Sequence, residues 1–331
     1  MTQRAIPELL SKLSIYPVLV DIGAAGSPPD VWKDIAKCSI YMGFDPDLRE
    51  LHELPGSQFH KSLIINEAVT SQEGEEVSFY FTKWPYCSST LKPDLDSLSN
   101  YLFCNLFEVE SKRTVKSTTL NTAIDRFSLP CIDWLKLDTQ GTDLRIFKSL
   151  RPETRGRVLA LDIEPGLIDA YIGEDLFVDA HRELMEMGFW LSSLQIGGAA
   201  RMRRTSLDRL REVDSVVNEE FVEKRVRKSP GWVGARYLRD LDYMVDSDLG
   251  RREYTLLWTF ALLDDQPGYA LDAAFTYQDV FTCDETAKSM MELAIKMLKY
   301  PQRRSIISRA KSIIPIRVRR RIRRFKSQVR I

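Results

Sequence analysis

Residues 18–47, VLVDIGAAGSPPDVWKDIAKCSIYMGFDPD, decide how the rest of the chain is read. Val18-Leu19-Val20 is an apolar, β-branched run that reads as a buried strand, and it ends on an acid, Asp21. Gly23 and Gly26 follow, allowing a tight turn that brings backbone N–H groups close to a ligand. Pro28-Pro29 suits the first turn of a helix. A second apolar run, Ile40–Phe44, then leads to Asp45 and Pro46. Strand, glycine turn, helix, strand, acid is the nucleotide-binding half of a doubly wound α/β sheet.

The place of the first acid narrows the ligand. Dinucleotide dehydrogenases put glycines directly after the strand, so that a helix N-terminus meets a pyrophosphate. Here a carboxylate stands at the strand tip and suits a cationic group. An amino-acid ammonium at Asp21 and a ribose diol at Asp45 are the two ends of S-adenosylmethionine. Gly23, Ala24 and Gly26 then supply the turn against the cofactor, and in a methyltransferase layout, which this stretch resembles, Pro46 and Ala68 also bind the cofactor, Ala68 at the strand end beside the adenine. The stretch resembles motif one and the following ribose acid of class I methyltransferases, with Ser27-Pro28-Pro29 in place of the usual third glycine.

A second motif spans residues 132–148, IDWLKLDTQGTDLRIFK. It reads as a strand ending at Asp138, a glycine turn, and an amphipathic helix capped by Thr142 or Asp143, with Leu144, Phe147 and Leu150 on one face. It resembles the signature of the FkbM family of methyltransferases, an I-D-x-L-K-x-D strand followed by x-E-G-x-E and an apolar helix ending in Lys. Ile132, Asp133, Leu135, Lys136, Asp138, Gly141 and Lys148 match it, whereas Gln140 and Asp143 stand where the family usually has Glu. Thr119-Leu120 with Ile124 is similar to the family's T-L-D lead-in, Asn121 replacing Asp, and residues 66–90 resemble its adenine strand and serine-bearing loop. The resemblance covers roughly residues 15–196. It implies an S-adenosylmethionine-dependent O-methyltransferase, commonly acting on a sugar hydroxyl of a glycan, glycolipid or glycosylated metabolite in polysaccharide biosynthesis. The fold expected is a class I methyltransferase sheet, mostly parallel with its last strand antiparallel, followed by a C-terminal helical region.

Composition excludes several other classes. The five cysteines are odd in number and scattered without a C-x-x-C pair, which argues against a disulfide framework or a zinc site. His52, His60 and His181 are far apart and lack ligand spacing, so a Ser-His-Asp triad is disfavoured. No run approaches the roughly 18 apolar residues that span a bilayer, and no signal pattern opens the chain. These features point to the cytoplasm. The net charge of 0 hides an asymmetry: residues 301–331 hold 12 Lys/Arg and no acid, leaving 35 basic against 47 acidic residues before them, a charge of −12.

Three regions follow from the pattern. Residues 1–204 carry the cofactor-binding methyltransferase domain, residues 205–300 read as a helical accessory region, and residues 301–331 as a basic amphipathic tail. Within the first, helices are expected over Pro46–Leu54, Asn121–Phe127 (Asn121 as N-cap) and Glu174–Met187, with a hairpin partner at Ala199–Arg203. Residues 84–93 read either as a surface loop or as a lid over the cofactor. Residues 235–245 read as a helix, and the aromatics from Trp232 to Phe281 as helical core or, more sharply, as a sugar platform. In the tail, Val318, Ile322, Phe325 and Val329 repeat at helical spacing among arginines, a pattern suited to an anionic membrane surface through residues 303–330 at the inner face.

Methyl transfer to oxygen needs an aligned nucleophile and an acceptor for its proton. Asp138, Asp162 and Glu164 are the carboxylates at strand tips. Asp138 reads as general base, or Asp138 and Glu164 as joint ligands of Mg²⁺ holding substrate hydroxyls, oxygen donors suiting a hard cation. The alternative is that Asp138 caps the next helix or orders the loop. Gln140, lacking charge, is cast as a hydrogen-bond donor to substrate or cofactor. Two other classes stand beside the enzyme: a non-catalytic, membrane-attached scaffold retaining the fold, and a nucleic-acid methyltransferase. The second is disfavoured by the acidic body and the lack of an N-P-P-Y-type motif.

Overall fold

In a computed structural model, which describes residues 2–49 and 58–300, seven strands build one sheet. They are β1 (Val18–Ile22), β2 (Ile40–Phe44), β3 (Lys61–Ile65), β4 (Trp134–Leu137), β5 (Ala160–Ile163), β6 (Phe189–Ala199) and β7 (Ser229–Arg239). Their order across the sheet is β3-β2-β1-β4-β5-β7-β6. The first five strands run parallel, and β7 lies antiparallel between β5 and β6. The α/β class, the mostly parallel sheet and the antiparallel last strand are as the sequence indicates.

The order reverses at β1, so the crevice beyond the carboxyl ends of β1 and β4 is where such a sheet binds ligands. Register brings the motifs together there, pairing Asp21 with Lys136 and Ile22 with Leu137. A small three-stranded sheet (Ala68–Val69, Glu76–Thr82 and Val109–Thr118) stands beside the crevice. The segment around residues 85–107 bridges to the loop after β5 through Pro93 and Tyr171, and that loop bridges to β7 through Gly166 and Trp232.

Each face of the sheet has its own core. Val20, Leu135, Leu137 and Leu161 meet helices Leu120–Phe127, Asp143–Ser149 and Phe177–Glu186. Leu19, Trp134, Ala160 and Leu238 meet Arg251–Leu263, Pro267–Val280 and Glu285–Lys299. Residues 253–263 are buried without interruption, because that helix is enclosed by the sheet and two further helices. Tyr254, Trp258, Phe260 and Tyr277 are core residues, as the bland reading of the aromatics has it.

Four local expectations give way to other structure. No α-helix follows Pro28-Pro29. Pro29 is extended at φ −52° and ψ 131°, and only the 3₁₀ turns Asp30–Trp32 and Ala36–Cys38 follow. A proline also disfavours the helical conformation in the residue before it, and Trp32 is instead buried edge-on against Tyr41 and Trp134. The partner of β6 is not Ala199–Arg203: β6 runs through Gly197-Gly198 and pairs with β7. Residues 235–239, expected to be helical, are strand. Val233, Ala235 and Tyr237 face the core in period two, and the helix Leu241–Asp246 begins only after Asp240 caps it. Finally, Thr119 rather than Asn121 caps helix Leu120–Phe127, accepting from Thr122 N, while Asn121 ties Ser149 and Arg151 to that helix.

The helix expected over Pro46–Leu54 falls largely, and the basic segment 303–330 wholly, outside the described residues. Among the described residues no helix is long and apolar enough to cross a membrane.

Candidate functional site

The tight turn after β1 lets the two motifs touch. Gly23 has φ +77°, and a Cβ there would overlap the carbonyl oxygen of Asp138. Beyond this contact lies a cavity with about 580 Å³ of empty space, its open mouth included. Of the residues expected at the site, Gly23, Asp45, Pro46, Ala68, Asp138 and Gln140 line it. Phe44, Val69 and Phe79 add apolar wall, and Asp47, Glu67, Ser88 and Thr90 add polar groups that the sequence reading did not single out. Pro85, Tyr86, Ser88 and Thr90 all come from residues 84–93, so that loop is part of the wall.

Asp21, Ala24, Gly26 and Glu164 are not among the lining residues. Asp21 is only 2% exposed; its Oδ1 accepts from Lys136 Nζ at 2.7 Å and its Oδ2 from Tyr41 OH at 3.1 Å. Burial raises the Asp21 pKa, and the Lys136 ammonium opposes that rise. The ammonium next to Asp21 therefore comes from the chain itself. Lys136 also reaches Gly23 O at 3.3 Å, so the pair sets the turn rather than the cavity wall.

Asp45 is different. It is 6% exposed, lines the cavity, and accepts from Asp47 N at 2.8 Å. Desolvation pushes its carboxyl up to about 7, helped by the neighbouring Asp47 and Asp138 and opposed by the Asp47 N–H and Lys136. A buried carboxyl facing a cavity fits a diol, whose two hydroxyls would replace the lost water. Asn66 Nδ2 donates to Asp45 O at 2.8 Å and keeps the strand end in place.

Asp138 follows the last residue of β4, and its Oδ1 accepts from Gln140 Nε2 at 2.6 Å. Gln140 has φ +59°, a left-handed conformation that is strained for a side-chain-bearing residue and collects at functional sites. Its amide oxygen is 3.1 Å from Tyr171 OH, and its carbonyl accepts from Ser89 Oγ at 2.8 Å. Asp143 closes the turn: Oδ1 accepts from Thr139 N and Oγ1 at 2.9 and 2.6 Å, and Oδ2 from Glu164 N at 2.8 Å. The N-cap position is Thr142, so Asp138 does not cap the helix; its contact with Gln140 lies within the loop, as the loop-ordering alternative has it.

Gln140 also lines a second cavity, of about 390 Å³ with its open mouth, together with Phe103, Phe107, Tyr171, Trp232, Glu164 and Glu174. Asp138 and Glu164 thus border different cavities, although their strands are adjacent. Among the described residues no group of three or more His, Cys, Asp or Glu is arranged to hold a metal ion, and the Mg²⁺ pairing of Asp138 with Glu164 gains no support.

Residues 30–191 match the family model described as Methyltransferase FkbM domain. The match begins after β1 and ends within β6. No curated protein and no solved structure matches the chain.

Proposed function

From a methyltransferase FkbM domain over residues 30–191, we propose an S-adenosylmethionine-dependent O-methyltransferase whose acceptor is a saccharide hydroxyl. The observation that carries it is the convergence of Gly23, Asp45, Ala68 and Asp138 on one cavity at the sheet's reversal point. Asp45 would hold the ribose diol, Phe79 and Val69 the apolar adenine face, and the Gly23 turn the amino-acid end. Asp21 acts from behind that turn, through Lys136.

A bound cofactor would supply a sulfonium-activated methyl group open to in-line displacement by an oxygen, with a neutral thioether as the leaving group. Asp138 supplies what the acceptor needs, a carboxylate that takes the hydroxyl proton as the C–O bond forms. Gln140 donates to Asp138 Oδ1 and so turns that carboxylate without neutralising it. Glu164 lines the second cavity and not the one that Asp138 lines, so it takes no part in that proton transfer.

Calorimetric titration with S-adenosylmethionine and S-adenosylhomocysteine, followed by transfer of isotope-labelled methyl to a panel of glycosides, tests the assignment. Micromolar binding and base-stable labelled ethers are expected. Failure to bind either compound would favour the scaffold reading.

We further propose that residues 303–330, with their arginines around Val318, Ile322, Phe325 and Val329, attach the enzyme to an anionic membrane surface and so to a lipid-linked acceptor. Each basic residue near such a surface contributes about 1 kcal/mol. The full chain should float with anionic liposomes at low salt and less so at high salt, and a chain ending at Tyr300 should not. Equal flotation of the two would refute the attachment.

A further inference from the structure

Asp138 stands at one end of a chain of hydrogen bonds. Gln140 Nε2 donates to Asp138 Oδ1 at 2.6 Å, Gln140 Oε1 accepts from Tyr171 OH at 3.1 Å, and the same hydroxyl donates to Cys87 O at 2.8 Å. The members come from three parts of the fold. Asp138 and Gln140 lie in the turn after β4, Tyr171 in the loop after β5, and Cys87 in the 3₁₀ turn Pro85–Cys87. The backbone of Gln140 is held in its left-handed conformation, its carbonyl accepting from Ser89 Oγ at 2.8 Å. The motion left to the side chain is rotation of its terminal amide, a torsion that is broad and close to two-fold.

The hydrogens on this chain do not match its acceptors. A phenol carries one hydrogen, and Tyr171 faces two carbonyl oxygens, of which Cys87 O is the nearer. With the hydrogen on Cys87 O, a lone pair of Tyr171 faces the amide, and the amide end that can answer it is Nε2. Nε2 is committed to Asp138 as long as that carboxylate is ionised, since an ionised carboxylate only accepts. Protonation removes the conflict. A carboxylic acid donates, so the amide reverses. Asp138 O–H to Gln140 Oε1, Gln140 Nε2 to Tyr171 O, and Tyr171 O–H to Cys87 O then run head to tail, an order in which each bond polarises the next.

We propose that Tyr171 is a positioning residue for the proton transfer, favouring the protonated form of Asp138 through reversal of the Gln140 amide. As the acceptor oxygen bonds the methyl carbon, its O–H bond breaks and the C–S electron pair stays on sulfur. The proton goes to Asp138 and passes to water at the cavity mouth before the next turnover. This rests on the methyltransferase reading above and adds to it a residue that touches neither cofactor nor reacting atoms.

The test observes Gln140 directly and needs no acceptor. The full chain, labelled with ¹⁵N in its glutamine side chains, is titrated by two-dimensional NMR from about pH 4 to 8, with and without S-adenosylhomocysteine. Other charges stand near. Asp21 with Lys136, Asp45 and Asp143 surround Asp138, and Asp47 and Glu67 line the same cavity. Glu164 and Glu174 border Gln140 on the second cavity, and Asp175, paired with Arg145, donates its N–H to Gly141 O. All of these remain in Asp138→Asn. The Gln140 amide signals should therefore titrate in the unaltered protein and lose that titration in Asp138→Asn. Tyr171→Phe takes two hydrogen bonds from the acid form and one from the ionised form. Its midpoint should fall by at least about half a pH unit, roughly threefold in proton affinity. If Tyr171→Phe does not fold, the ¹³Cζ signal of Tyr171 in the unaltered protein carries the test, and it should follow the Gln140 midpoint. A Gln140 amide that does not titrate, a titration that persists in Asp138→Asn, a midpoint unchanged or raised in Tyr171→Phe, or a Tyr171 signal that stays still would overturn the proposal. Failure of S-adenosylhomocysteine to bind would count against the methyltransferase reading instead, with the unliganded titration still deciding the role of Tyr171.

Discussion

Carboxylates behind the sheet and carboxylates at the carboxyl ends of its strands are both withdrawn from water, but they are held by different partners. Behind the sheet the partners are arginines. Asp133 takes Arg252 through two contacts of 2.8 and 2.7 Å, and Asp162 and Asp264 share Arg236, with contacts of 2.7, 2.8 and 2.6 Å. At the strand ends the partners are neutral N–H groups: Asp47 N for Asp45, the Gln140 amide for Asp138, and Ala170 N for Glu174. Asp47 and Asp21 are exceptions, clamped by Arg49 at 2.6 Å and by Lys136 at 2.7 Å. A guanidinium fixes both the position and the charge of its partner. A neutral donor fixes position and leaves the negative charge for a ligand or a proton. The first arrangement serves the fold and the second serves chemistry.

The largest expected effect breaks the front without touching the back. Asp138→Asn keeps the shape of the side chain but removes the proton acceptor, and should lower turnover by about 10²–10⁴-fold. Cofactor affinity and the unfolding midpoint should stay as they are. Turnover within a factor of three of the unaltered enzyme, measured on the glycoside that serves as acceptor, would remove Asp138 from the chemistry.

The converse change breaks the back alone. Arg236→Ala leaves Asp162 and Asp264 with uncompensated charge next to Trp134, over whose ring the guanidinium sits at 5.0 Å. Removing one partner from a buried ion pair costs roughly 3–5 kcal/mol. Urea unfolding should show that loss, with binding of S-adenosylhomocysteine unchanged under native conditions. A loss below about 1 kcal/mol would mean that the arginine clamps do not carry the helical layer.

The sequence displays the two halves of this contrast unequally. Both strand-tip motifs are local, so strand, turn and acid are legible around Asp45 and Asp138. The arginine partners are not, because Arg252 stands 119 positions from Asp133 and Arg236 stands 74 from Asp162. Asp21 looks like a ligand group for the same reason, since its lysine lies 115 positions away and only the pairing of β1 with β4 brings it near. Strand β7 was hidden by composition. Ala235, Arg236 and Leu238 favour helices, and the period-two burial of Val233, Ala235 and Tyr237 outweighs that preference only because β5 and β6 leave a slot between them. Trp232 belongs to that strand, so the aromatic wall of the second cavity was hidden along with it.

A smaller effect separates Asp45 from the neutral wall around it. Asp45→Ala deletes a charged acceptor from the diol, a loss of roughly 1.5–3 kcal/mol, or about tenfold to a hundredfold in cofactor affinity by calorimetry. Asp47, already clamped by Arg49, should give a weaker effect as Asp47→Asn. Equal losses in the two variants would show that the identity of the partner does not decide which carboxylate is available.

The finest test is pH. The folded Asp45 carboxyl sits near 7 against an ordinary 3.8, lifted first by burial and then by Asp47 and Asp138, with the Asp47 N–H and Lys136 pulling the other way. Between these values the folded chain keeps a proton that the unfolded chain has lost. Asp45 therefore contributes stability that is fully present below about 3.8 and is lost as pH rises toward 7. Cofactor binding has the opposite sign, because a diol donates to the ionised form. Affinity should rise by up to tenfold per unit from pH 5.5, level off above about 7, and be accompanied by proton release below that point. Calorimetry in two buffers of different ionisation enthalpy measures both. Asp45→Asn should flatten the profile, and a slope that persists in that variant would assign the proton to another group and leave Asp45 a structural carboxyl like those behind the sheet.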